Sequence, residues 1–128
     1  MFKRIDHVEI IPANFERTIA FYTEIFGFRL RKRYRIDKPP IEEVAYLELG
    51  DTVIEVISVT NPPPRLQEPW QVGYRGIALE VKDMEKAVDY LKTKGIALTL
   101  GPVNLGTSMR AELKDPDGLT LELRQWFK

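Results

Sequence analysis

The chain has 128 residues with 19 basic and 19 acidic side chains, a formal net charge of zero, one histidine and no cysteine. A domain of this size buries roughly two-thirds of its unfolded surface and needs no staples, and the missing thiols exclude disulfides, thiolate ligands and thiol catalysis. Balanced charge leaves no global field for nucleic acid or anionic lipid. No apolar run approaches the ~20 residues of a membrane helix, and MFKRIDHVEI has no signal-like apolar core, so a soluble, cytoplasmic protein is the expectation.

Residues 4 to 11 alternate Ile5, His7, Glu9 and Ile11 against Asp6, Val8 and Ile10, the period of a strand, and Pro12 ends it. Asn14 then caps a helix whose Phe15, Ile19, Tyr22 and Phe26 fall on one face, with Gly27 as its C-terminal cap. In the next strand Phe28, Leu30, Tyr34 and Ile36 share one face, and alternation predicts Arg29, Arg31, Arg33 and Arg35 in a row on the other. After Pro39 and Pro40, strands are predicted over 43 to 49 and 52 to 59, joined as a hairpin at Gly50 and Asp51. The first half is therefore βαβββ.

The stretch TNPPPRLQEPWQVG, with four prolines and no periodicity, predicts a linker over 61–73 between a first module, 1–60, and a second, 74–128. A strand over 74 to 81 leads to a helix capped by Asp83, with Met84, Ala87, Val88 and Leu91 on one face and Gly95 past its end. Strands follow over 96 to 100, 107 to 114 and 119 to 126. The last is fed by the turn Asp115, Pro116, Asp117 and Gly118, and in it Leu119, Leu121 and Leu123 alternate with Thr120, Glu122 and Arg124.

The second half repeats the first at an offset of 67 to 69 residues, which sets Phe15 on Met84, Ile19 on Val88, His7 on Gly76 and Glu55 on Glu122. The pattern predicts an α+β fold of two tandem βαβββ modules. Their strands form a curled eight-stranded mixed sheet with a cleft, and the helices lie outside. Alternation assigns to the cleft Ile5, His7, Glu9 and Ile11, the arginine row, Val53, Glu55 and Ile57, then Gly76, Ala78, Glu80, Thr120, Glu122 and Arg124, a very polar set for a sheet's inner face.

The phrases IDHVEI, ERTIAFYTEIFGF, YLELGDTVIEVI, GIALEVKDMEKAVDYLKTKGI and DPDGLTLELRQ, in this order and spacing, resemble signatures of the vicinal oxygen chelate superfamily. That superfamily includes glyoxalase I, methylmalonyl-CoA epimerase, extradiol dioxygenases and bleomycin-resistance proteins, and the resemblance covers nearly the whole chain. It implies metal ligands on the first and last strand of each module, carried onto His7, Glu55, Gly76 and Glu122. Three of these are competent ligands; Gly76 stands where glyoxalase I and the epimerases have His. Its loss argues against ring cleavage, and the vacated place is open to Glu80 or Glu9 at a strained two-residue step of about 6.6 Å along a strand, more simply to water, or to a bulkier ligand. Ile11 and Val59 replace the Arg and Asn that hold glutathione in the glutathione-dependent enzymes. The acid that serves the epimerases has no counterpart in register among Asp37, Lys38, Pro39, Pro40, Glu42 and Glu43.

On this resemblance the expected activity is a lyase or isomerase dependent on zinc, nickel, cobalt, manganese or iron, acting on a small carbonyl-containing or anionic molecule without glutathione. His7, Glu55 and Glu122 are the expected ligands. Glu55 and Glu122 are also the expected catalytic bases, with Glu9 and Glu80 as further candidates. Arg31, Arg33, Glu9, Glu80, Gly76 and Arg124 are the expected substrate contacts. The arginine row has two readings: Arg29, Arg31 and Arg33 bind a carboxylate or phosphate of the substrate, or the row balances Glu9, Glu48, Glu55 and Glu122 or keeps an exposed sheet edge from pairing with other chains. Trp70 and Trp126 are expected in the core or a dimer interface, and Ser58 and Ser108 lack a second His to activate them. A homodimer is expected, with neither nucleic acid nor membrane as a partner. The alternative function is metal-free small-molecule sequestration of the bleomycin-resistance type, which Gly76 favours; a silent dimerising module is a third.

Overall fold

The computed structural model describes residues 1–66, 68 and 70–128. In chain order it contains β1 (Val8–Ile10), α1 (Phe15–Phe26), β2 (Arg29–Lys38), β3 (Ile41–Leu49) and β4 (Thr52–Val59), then β5 (Gly76–Glu80), α2 (Met84–Thr93), β6 (Leu100–Asn104), β7 (Ser108–Lys114) and β8 (Thr120–Trp126). The class is α+β and the order βαβββ occurs twice. The strands form two four-stranded mixed sheets, ordered β1-β4-β3-β2 and β5-β8-β7-β6. The pairs β1–β4 and β5–β8 are parallel. Two compact units, Met1–Arg65 and Leu66–Lys128, each hold one sheet and one helix. The linker expected over 61–73 includes Gln67 and Pro69, which lie outside the described residues.

In the first unit Asn14 sits in extended backbone and its side chain accepts the Arg17 N–H at 2.9 Å, satisfying a donor that the first helical turn leaves open. Gly27, at φ 78°, closes α1 in the left-handed conformation that a side chain would disfavour. Asn14→Ala is expected to cost about 1 kcal/mol, seen as a lower urea midpoint with an unchanged m-value. The helix lies against β2, β3 and β4. Ile19 and Tyr22 are buried with Ile10, Phe28, Ala45, Leu47, Ile54 and Val56, and strand register puts Ile10, Ala45, Leu47, Ile54 and Val56 on one face of the sheet.

Strand β1 is three residues long rather than the eight the alternation suggests. It lies at the sheet edge and pairs only with β4, leaving residues 1–6 exposed ahead of the ladder. The expected row of four arginines is also broken. A register shift between Leu30 and Lys32 leaves Arg31 as the extra residue of a β-bulge, so the side-chain alternation changes phase there. Arg29 is set opposite Glu48, whereas Arg33 and Arg35 fall opposite Ala45 and Glu43 on the helix-bearing face. There Arg33 pairs with Glu16 of α1 and with Glu43 at 2.6 Å.

In the second unit Asp83 caps α2 by accepting the Lys86 N–H at 3.1 Å, and Gln125 of β8 accepts the Met84 N–H at 2.7 Å. The turn before β8 is organised by buried Asp115, whose Oδ1 accepts the N–H groups of Asp117 and Leu119 at 2.8 and 2.9 Å. Leu121 and Leu123 are buried with Ala111 and Leu113 on the same face. Strand β6 lies later than the expected 96 to 100: α2 ends through Ile96 N–H donation to the Leu91 carbonyl, and the strand runs through Gly101 and Pro102 with a register shift between Leu100 and Val103. Gly and Pro mark a strand irregularity here, not a strand end. Neither tryptophan enters the core: Trp70 and Trp126 are 81% and 56% exposed, with Arg75 and Arg124 respectively over their rings.

Candidate functional site

The two-residue hairpin at Gly50 and Asp51 pairs Leu49 with Thr52, and counting back along both strands sets Tyr46 opposite Glu55. On the other side of β4, parallel β1 sets Glu9 beside Glu55. Glu9, Glu55 and Tyr46 therefore share the face opposite α1. His7, two residues before Glu9, turns its ring to that face and meets the Tyr46 ring edge-on with centroids 6.0 Å apart.

The His7 Nε2 lies 3.1 Å from a Glu9 oxygen and 3.1 Å from a Glu55 oxygen, while Nδ1 lies 2.8 Å from Asp6 Oδ2. Ligand atoms of His7, Glu9 and Glu55 all fall within 4.8 Å of one another. Glu55 is buried, His7 partly so, and Glu9 exposed. With the Nδ1 proton given to Asp6, a neutral ring turns the Nε2 lone pair toward two carboxylates. Three acceptors then converge with no donor among them, an arrangement that calls for a proton or a cation.

A proton on Nε2 is one way to meet that need, and the surroundings favour it. The Asp6 hydrogen bond, with help from Glu9 and Glu55, raises the His7 pKa above its ordinary 6.5 against the opposing effect of burial. The Asp6 carboxyl is correspondingly lowered, chiefly by its hydrogen bond to His7. A raised folded value means that the stability His7 contributes is fully present below pH 6.5 and is lost as pH rises through the folded pKa. Because the chain has a single histidine, an NMR titration follows it without ambiguity. We expect a midpoint above 6.5 that moves back toward 6.5 in Asp6→Asn; a wild-type midpoint at the ordinary value would contradict the Asp6 bond.

Tyr46 adds a protonated hydroxyl to this face. Its pKa is pushed up to about 12 by a hydrogen bond with Tyr34, by burial and by the charge and hydrogen bond of Glu55. Tyr34 stacks on it with centroids 6.3 Å apart and planes 23° from parallel. Arg31, the bulged residue, lies over the Tyr46 ring at 5.8 Å and reaches Glu48 at 3.4 Å. Glu48 is held more closely by Arg29, which lowers the Glu48 pKa. Arg33 points elsewhere, to Glu16 and Glu43.

The remaining expected site residues belong to the second unit. Register sets Gly76, Glu80, Glu122 and Arg124 on the face of the second sheet opposite Leu121 and Leu123. Glu122 is directly opposite Glu112, a like-charge pair that would repel if left alone. Arg110 joins both carboxylates, Arg75 adds a 3.1 Å contact to Glu112, and Arg124 adds a 3.0 Å contact to Glu122. Both Glu122 oxygens are thus in ion pairs with arginine. At Gly76 a Cβ would lie 2.4 Å from the Thr120 carbonyl oxygen and 3.0 Å from the Thr120 Cβ. Room for a side chain at Gly76 is therefore already taken by the neighbouring strand. Ser58 and Ser108 are engaged too, the first with Glu42 at 3.1 Å and the second with Arg124 at 3.5 Å.

Strand alternation misses Asp6, because it puts Asp6 on the opposite face from His7, whereas the ladder starts only at Val8 and leaves Asp6 free to turn back to the ring. It also misses Tyr34 and Tyr46, although the hairpin arithmetic that pairs Tyr46 with Glu55 was available. Lys32 is missed for the same reason as the broken arginine row, since only the bulge sets it opposite Tyr46.

Comparison with known proteins agrees with this architecture. A family model described as Glyoxalase/Bleomycin resistance protein/Dioxygenase superfamily matches residues 4–123. The chain is 34% identical over 126 residues to a protein of Arabidopsis thaliana named lactoylglutathione lyase GLX1, covering 96% of this chain but 44% of that protein's length. It is 34% identical over 123 residues to the uncharacterized protein YaeR of Escherichia coli, covering 94% of this chain and 95% of the relative. The crystal structure of a glyoxalase family protein from Enterococcus faecalis superposes with a TM-score of 0.82 at 30% identity, covering 96% of this chain and 98% of that one.

Proposed function

This chain belongs to the Glyoxalase/Bleomycin resistance protein/Dioxygenase superfamily, and on that premise we propose that it is a divalent-metal-dependent lyase or isomerase acting on a small carbonyl compound. The observation that carries the reading is His7 Nε2, set 3.1 Å from carboxylate oxygens of both Glu9 and Glu55 while Asp6 takes the other ring nitrogen. An imidazole nitrogen with two carboxylates suits zinc, nickel, cobalt, manganese or iron, and a carboxylate on the second ring nitrogen is the usual way of fixing a ligating histidine's tautomer.

His7, Glu55 and Glu9 would hold the ion, which when bound supplies Lewis-acid stabilisation of negative charge on a substrate oxygen. Buried Glu55 is the fixed ligand, anchored by Tyr46 from the facing strand. Glu9 is exposed and would complete the ligand set from the solvent side of the face. Asp6 orients the imidazole, and Glu122 anchors Arg110 and Arg124.

Relatives named lactoylglutathione lyase support a lyase as the reaction class. The glutathione part is not carried over, because Ile11 and Val59 offer no polar group at the positions that the resemblance assigns to tripeptide contacts. Titration of chelator-stripped protein with each of the five metals tests the reading. One ion bound per chain supports it. No binding by any of them would overturn it in favour of metal-free sequestration of a small molecule.

A further inference from the structure

The bulge in β2 does more than break the arginine row. An extra residue in one strand turns two neighbouring side chains toward the same side of the sheet. Here they are Arg31 and Lys32: Arg31 lies over Tyr46, and Lys32, which the register sets opposite Tyr46, lies over Tyr34 with its Nζ 5.1 Å from the ring centroid. Both cations are thereby gathered on the face that carries His7, Glu9 and Glu55, resting on two stacked phenol rings.

Neither cation is fully used by the protein. Arg31 has five N–H donors, its carboxylate contact among the described residues is one 3.4 Å approach to Glu48, and that carboxylate is held more tightly by Arg29. Among the described residues Lys32 has no carboxylate within ion-pair distance. Arg33 is different, since Glu16 and Glu43 both engage it. A cation over an aromatic face keeps its N–H groups available for an anion.

We propose that Arg31 and Lys32 form a carboxylate clamp beside the His7, Glu9 and Glu55 cluster, so that the substrate is a small planar carbonyl compound bearing a carboxylate, laid against Tyr34 and Tyr46. The proposal rests on the reading of the cluster as the reaction centre. Arg31 supplies the paired donors that match a planar carboxylate, and Lys32 supplies a movable point charge.

The test uses the metal-free full chain, so that an anion cannot bind through an ion. Benzoate, its neutral isostere benzamide and phenyl phosphate are titrated at low salt and followed by NMR shifts of the Tyr34 and Tyr46 rings. Benzoate is expected to bind at least tenfold more tightly than benzamide. The Arg31→Ala/Lys32→Ala double variant should lose that difference while keeping its melting temperature, since both side chains are exposed. Arg31→Lys should retain part of it.

Equal binding of benzoate and benzamide, or benzoate binding that survives the double variant, overturns the clamp. Tighter binding of phenyl phosphate than of benzoate overturns its assignment to a carboxylate. Metal titration of the same variants separates the two readings. If the double variant binds metal like the wild type but not benzoate, both stand; if benzoate binds through the clamp and no metal binds, the clamp stands and the reaction centre falls.

Discussion

His7→Ala is expected to weaken divalent-metal binding by about a hundredfold or more, because even residues that only orient a ligand change affinity by about 10- to 100-fold. The geometry makes His7 the hub: its Nε2 is the atom that both Glu9 and Glu55 approach, at 3.1 Å each. Removing the ring leaves two carboxylates on adjacent strands with nothing between them to hold their spacing. Glu55→Gln should have an effect of similar size, since it removes charge at a buried position whose surroundings cannot supply another. Asp6→Asn should be milder, about tenfold, because it disturbs the orientation of the ring and not the ligand set. Glu48→Gln, on the same sheet face but held by Arg29 and Arg31, should leave affinity unchanged. Isothermal titration with zinc and manganese distinguishes these outcomes. If His7→Ala binds as the wild type does, the cluster is an acidic surface feature with no ion of its own.

Part of this arrangement was legible in the sequence. The strand that carries Glu55, the βαβββ repeat and the caps at Asn14 and Asp83 are local patterns, and these survive into the fold. Even the Tyr46 to Glu55 pairing follows from a tight turn at Gly50 and Asp51, because a two-residue loop fixes the register of every pair behind it. What alternation could not reveal is where alternation stops. The arginines keep their period of two through Arg35, and the one mark of the bulge is Lys32, a charge where the row of Phe28, Leu30, Tyr34 and Ile36 calls for an apolar residue; the bulge sends Arg33 to Glu16 on the helix side and brings Lys32 to the site face. Asp6 illustrates the same failure at a strand end, since a residue ahead of the ladder is free to turn toward its neighbour.

Gly76 poses a different problem, and the expected outcome of Gly76→His shows why. The family resemblance makes His the residue to restore, and a vacated imidazole suggests open volume. The structure has no such volume at the Cβ position: a Cβ there would stand 2.4 Å from the Thr120 carbonyl oxygen across the parallel β5–β8 pair. Gly76→His is therefore expected to destabilise the chain by about 2–3 kcal/mol, the upper part of the range for overpacking, because the clash is with backbone and not with a side chain that can rotate away. Gly76→Ala should lose a comparable amount, since the first carbon and not the ring makes the contact. Thr120→Ala in the Gly76→His background should fail to rescue it, because trimming Thr120 leaves the carbonyl oxygen in place. Urea denaturation of the three variants reads all of these. Wild-type stability in both Gly76 variants would mean that β5 shifts along β8 at little cost; rescue by Thr120→Ala would move the obstruction from the backbone to the side chain. The loss expected for all three makes this glycine a requirement of strand packing, independent of whether a metal is bound.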